Sequence, residues 1–152
     1  MPAAIFPALL CLLLGMLAWI DLRAGIIPDW LNLAIALLGL INVVLAAGWL
    51  AGLAAFCEGA VIGLLVWLLR RLYFKLRKVQ GLGLGDVKFL AAAGIWTGVA
   101  GLPMLLLVAA VIALISVGAL QVAGRRPMTR QLAIPFGPFL AVGLLVTLAV
   151  QV

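Results

Sequence analysis

Residues 89–123 read FLAAAGIWTGVAGLPMLLLVAAVIALISVGALQVA, a run without one charged side chain. A small soluble domain has neither the core volume nor the polar cover for such a stretch, whereas a bilayer solvates it readily. The run is too long for a single crossing, because a hydrocarbon core of ~30 Å is spanned by about 20 helical residues. Gly98, Gly101 and Pro103 supply the natural break. The stretch therefore predicts two spans, 86–99 and 102–123. The first is short, about 21 Å at ~1.5 Å per residue, so it either starts below the membrane surface or extends into the turn at 98–103.

Working outward, four more apolar runs fall at 3–22, 30–48, 51–69 and 132–150. The 152 residues are 68% hydrophobic and include only ten Lys and Arg and four Asp and Glu, too few to coat a soluble surface. The expected fold is an all-α polytopic membrane protein of about six transmembrane helices, with residues 1–152 forming one membrane-embedded domain. The 17 glycines suit close helix packing in lipid, where small residues let backbones approach. Residues 1–24 lack the basic start of a secretory signal, and their first charge is Asp21, so they read as a retained span.

Basic residues orient the bundle. Arg23 lies in the first loop. Arg70, Arg71, Lys75, Arg77, Lys78 and Lys88 lie in or beside the third, and Arg125, Arg126 and Arg130 in the fifth. The second and fourth loops carry none, which makes the odd loops cytoplasmic and leaves both termini outside. Trp19, Trp30, Trp49, Trp67 and Trp96 fall near span ends, as interface anchors do. The net charge of +6 is accounted for by topology and by contact with anionic membrane lipids, and gives no support to a nucleic-acid partner. Cys11 and Cys57 lie within apolar runs without CxxC spacing, and there is no His, so no metal site and no cofactor are expected.

The acidic residues carry the chemistry. Asp21 ends the first span and Asp86 starts the fourth; these spans run in opposite directions, which brings the two carboxylates to a similar depth. Ionisable groups at membrane depth are costly and commonly functional. Two neighbouring carboxylates do not both ionise cheaply, so one keeps a proton while the other acts as a base, the arrangement of aspartic proteases. The structural alternative is capping. It has force for Asp86, at a helix start, and less for Asp21, whose charge opposes the dipole at a helix C-terminus. Asp86 closes Gly81-Leu82-Gly83-Leu84-Gly85-Asp86, in which alternating glycines allow a backbone to approach a substrate.

Three blocks together resemble the bacterial type IV prepilin peptidases, GxGD-type aspartyl membrane proteases. The first is Asp21-Leu-Arg-Ala-Gly-Ile-Ile-Pro28-Asp29-Trp-Leu-Asn32. The second is GLGLGDVKFLAAAGIWTG over 81–98, with Lys88, and the third is Ile134-Pro135-Phe136-Gly137-Pro138-Phe139-Leu140. The resemblance implies a membrane aspartic endopeptidase with Asp21 and Asp86 as catalytic residues. It would remove the basic leader of type IV prepilins, or of the pseudopilins of type II secretion, at the cytoplasmic face of the bacterial inner membrane. Gly83, Gly85, Lys88 and Asp29 are candidate supporting residues. Many members carry an N-terminal extension with paired CxxC motifs linked to methylation. The present sequence shows no such cysteines, so peptidase without methyltransferase, and no zinc, are expected.

Other readings stay open at this stage. Asp29 either complements the dipole at the start of its helix or helps to place substrate. Lys88 either binds a carboxylate or carbonyl near the pair or extends to the membrane face. Glu58, inside the third span, is either hydrogen-bonded to a neighbouring helix or part of a transport path. The basic stretch at 70–80 reads as an amphipathic extension of the third span. A presenilin-like protease fits poorly, because Ile20 rather than Tyr precedes Asp21 and the late motif is Pro135-Phe136-Gly137.

Overall fold

The computed structural model describes residues 5–78, 82–122 and 135–151. Gly81, Ile134 and the basic residues Arg125, Arg126 and Arg130 of the fifth loop lie outside the described residues. The described chain is all helical: α1 (Ile5–Ala24), α2 (Asp29–Ala47), α3 (Trp49–Arg77), α4 (Leu84–Val122) and α5 (Gly137–Gln151). The first four are long and apolar enough to cross a membrane, and α5 is a shorter apolar helix. Their outer faces expose large hydrophobic side chains along the whole length, such as Leu12, Leu45, Leu64 and Leu114. Lipid is the solvent such faces require.

The sequence predicts two spans where the structure has α4, and the reason lies at Gly98. α4 is two helical limbs joined across this residue, whose backbone (φ 67°, ψ 178°) is non-helical and open only to glycine at low cost. The break comes at Gly98 and not at Pro103, which lies within the second limb. Two backbone groups at the break find side-chain partners. The Val99 N–H donates to Glu58 Oε2 at 2.8 Å, and Gln151 Nε2 donates to the Thr97 carbonyl at 3.2 Å. Without such partners, broken helices are not tolerated at membrane depth. Glu58 thereby takes the first of its two readings, bonded to a neighbouring helix.

α3 departs from its predicted end. It continues helically beyond 69 to Arg77, so most of the predicted third loop is helix, the extension anticipated for the basic stretch. Pro28 precedes α2 as its N-cap, and Asp29 is the first helical residue.

α4 is the centre of the bundle, packed against α2, α3 and α5, while α1 closes the far side against α5 and α2. Backbones come close at the α3–α4 crossing, where a Cβ added to Gly94 would lie 3.2 Å from the Cα of Gly59. In lipid such close packing substitutes for a hydrophobic driving force between helices. Trp96 corrects one expectation. It is not an interface anchor but packs into α2, its indole N–H donating to the Ile35 carbonyl at 3.0 Å with the ring against Gly39. Trp19, Trp30, Trp49 and Trp67 remain exposed.

Candidate active site

The C-terminal end of α1, the starts of α2, α4 and α5, and the loop after α1 meet at one end of the bundle. Asp21 is there, only 4% exposed. Its Oδ2 accepts a 2.8 Å hydrogen bond from the backbone N–H of Gly137, the first residue of α5. This contact answers the objection that a carboxylate at the end of α1 opposes that helix's dipole. The positive N-terminal end of α5 faces the charge and offsets it. The Pro135-Phe136-Gly137-Pro138 block thus has a structural task that sequence reasoning missed, because donor and acceptor are 116 positions apart. A Cβ on residue 137 would come within 2.6 Å of Asp21 Oδ2, so only glycine lets α5 approach this far.

Asp86 is in the first turn of α4, half-buried. Its carboxylate turns back toward Gly83, which precedes the helix, so the capping task weighed for Asp86 is performed in part. That task leaves it at the same end of the bundle as Asp21, because the adjoining Gly85 packs against Ile27 in the loop that follows α1. The structure therefore brings together the two groups that the sequence singles out. Both face helix N-termini, Asp21 that of α5 and Asp86 that of its own helix.

The glycine segment before Asp86 is held from α2. Asn32 Nδ2 donates to the Gly85 carbonyl at 3.3 Å, and a Cβ on Gly85 would strike Ile27, at 2.9 Å from its Cβ. Asn32 is 4% exposed, and its Oδ1 has no partner among the described residues. It is a second residue that sequence reasoning missed as part of the site. A polar side chain four residues after Pro28, in a largely apolar helix, is the signal that points to it. Lys88 Nζ and Asp29 Oδ2 form a 2.6 Å ion pair that ties α4 to α2. Both side chains are largely exposed, so the pair is a surface clamp beside the carboxylates. Of the four residues expected in support, Gly83 lies against the Asp86 carboxylate, Gly85 against Ile27 and Asn32, and Lys88 and Asp29 pair with each other at the surface.

Fold and site together define a helical multi-pass membrane protein with a pair of carboxylates gathered at one end of its bundle. Residues 8–118 match the Type IV leader peptidase family, and the chain belongs to that family. It is similar to the prepilin leader peptidase/N-methyltransferase of Burkholderia pseudomallei, with 41% identity over 136 residues, 88% of this chain and 42% of that protein. The corresponding protein of Escherichia coli K12 is 38% identical over 133 residues, covering 87% of this chain and 57% of its own. That of Legionella pneumophila is 34% identical over 149 residues, 95% and 49% respectively. The chain spans about half the length of these curated relatives. No solved structure matches it.

Proposed function

We propose that this chain is a membrane aspartic endopeptidase that removes the basic leader from prepilins or pseudopilins, with Asp21 and Asp86 as its catalytic pair. One observation carries the reading: in a chain with only four acidic residues, two from opposite parts of the sequence meet at the same end of the bundle. Membership of the leader peptidase family supports the substrate class.

The chemistry follows from a shared proton. The ionised carboxylate takes a proton from water, the resulting nucleophile attacks the scissile carbonyl, and the protonated carboxyl donates to the carbonyl oxygen. Collapse of the tetrahedral intermediate passes a proton to the departing amine. The site would face the cytoplasm in an inner-membrane protein of six crossings with both termini outside, the two limbs of α4 counting separately and α5 as the last. The basic residues Arg23, Arg70, Arg71, Lys75 and Arg77 support that orientation, since they belong to the site end of α1 and α3.

The test is cleavage of a leader-bearing pilin precursor by purified protein in lipid vesicles. Asp21→Asn and Asp86→Asn should each lower the rate by roughly 10²–10⁴-fold, with helical content and thermal midpoint preserved. Either variant processing substrate at the wild-type rate would refute the assignment.

A further inference from the structure

We propose that a cleft beside the C-terminal part of α3 binds the phosphate head group of an anionic phospholipid. The cleft has a volume of about 260 Å³ and is lined by Trp67, Arg70, Arg71 and Phe74. Its depth is set by helix length. α3 has 29 residues starting at Trp49, and about 20 of these cross the hydrocarbon, so Trp67 ends the crossing and the arginines enter the head-group zone. Aromatic rings flanking cationic side chains are the furniture of that zone.

Both guanidinium groups are oriented. That of Arg71 lies over the Trp67 ring, 5.1 Å from its centroid. Arg70 donates from Nε to the Leu82 carbonyl at 2.7 Å, leaving its terminal nitrogens for another acceptor. Two positioned forks of this kind match a phosphate, which accepts several hydrogen bonds and carries the opposite charge.

Among the described residues no acidic side chain pairs with them. Of the chain's four acidic residues, Asp29 pairs with Lys88, Glu58 caps Val99 about 18 Å back along α3 at ~1.5 Å per residue, and Asp21 and Asp86 form the candidate site. An anion from outside the protein would meet both groups, and at this depth the bilayer itself supplies one. The site also has a connection to the chemistry. Leu82 immediately precedes Gly83, so the arginine that holds the lipid also holds the segment that delivers Asp86. Occupation of the cleft should therefore raise cleavage, a consequence that rests on the peptidase reading; binding itself does not.

The experiment presents purified protein with equal amounts of phosphatidylglycerol and phosphatidylcholine and counts retained lipid by native mass spectrometry. Wild type should retain phosphatidylglycerol several-fold over phosphatidylcholine, and R70Q/R71Q should lose that preference. K75Q/R77Q, which removes the same charge from the same helix outside the cleft, should keep it. The proposal is overturned if R70Q/R71Q keeps the preference, if K75Q/R77Q loses it equally, or if millimolar inorganic phosphate displaces the lipid completely. In vesicles, phosphatidylglycerol should speed leader cleavage by wild type and not by R70Q/R71Q. A double variant that still retains phosphatidylglycerol but cleaves slowly in both lipids would assign the arginines to the substrate and sink the lipid site.

Discussion

Gly137→Ala isolates the contact that joins α5 to Asp21. The glycine is needed for space and not for its backbone, because its φ is outside the left-handed region that Gly25, Gly48 and Gly98 occupy. An added Cβ would lie 2.6 Å from Asp21 Oδ2 and 3.0 Å from its Cγ, where ordinary contact begins near 3.4 Å. Relief requires the carboxylate and α5 to part by about 0.8 Å, enough to stretch the 2.8 Å hydrogen bond from the Gly137 N–H beyond useful range. Losing a hydrogen bond to a charged group costs about 1.5–3 kcal/mol. A displacement of ~1 Å at a catalytic group lowers rate by about 10²-fold. The first figure bears on stability and the second on rate, so kcat/KM for leader cleavage should fall by roughly 10²-fold. Intrinsic helix propensity works the other way, since alanine is favoured over glycine by about 1 kcal/mol within a helix; a loss of activity would therefore not reflect a weaker α5. Gly15→Ala is the control. It lies on α1 with Asp21, and nothing is within 4 Å of its added Cβ, so its activity should match wild type. Gly137→Ala cleaving within threefold of wild type would refute the proposed role of the α5 terminus.

Two further predictions concern groups that hold the bundle. Asn32→Ala removes the donor to the Gly85 carbonyl and should lower leader cleavage about tenfold, with a stability loss of about 1–3 kcal/mol; unchanged kcat/KM in the cleavage assay would show that the segment before Asp86 needs no support from α2. Glu58→Gln keeps an oxygen to accept from the Val99 N–H and should leave activity and thermal midpoint nearly unchanged, whereas Glu58→Ala should destabilise by about 1.5–3 kcal/mol in a thermal melt. Equal stability of the two variants would remove Glu58 from its capping role.

What could be read from the sequence was whatever has a local signature. Apolar run length gave the membrane class, and an uncharged run containing Gly98, Gly101 and Pro103 gave a break within α4, though not which of the three residues makes it. The carboxylates stood out because acids are so scarce. What could not be read depends on partners far along the chain. Gly137 meets Asp21 across 116 positions, Trp96 meets Ile35 across 61, and Glu58 meets Val99 across 41. Each is a helix-to-helix contact whose register no local pattern encodes. The end of α3 was legible for a different reason, in the basic stretch at 70–80 that reads as an amphipathic extension of the third span. Hydropathy falls at Arg70, but helix formation does not, because Arg, Leu and Lys are good helix formers and the chain leaves the hydrocarbon without leaving the helix.

The contacts also explain why the three sequence blocks occur together. A carboxylate at the end of α1 is disfavoured by its own helix and by burial, and α1 offers it no donor. The relief comes from the third block, whose glycine at the start of α5 supplies the N–H that Asp21 accepts. The second carboxylate needs a helix start free of side chains on the approach, which Gly83 and Gly85 provide, and an anchor, which Asn32 of the first block provides. The first block therefore supplies one acid and the support for the other, the second supplies the other acid, and the third stabilises the first. Loss of the third block leaves Asp21 without its donor, and loss of Asn32 leaves the Gly85 carbonyl without its own, so the pair draws on contacts from α1, α2, α4 and α5. In such an arrangement the carboxylates do not add stability to a bundle that forms without them; they depend on the complete bundle, and their destabilising charge is tolerated because three other elements converge on it.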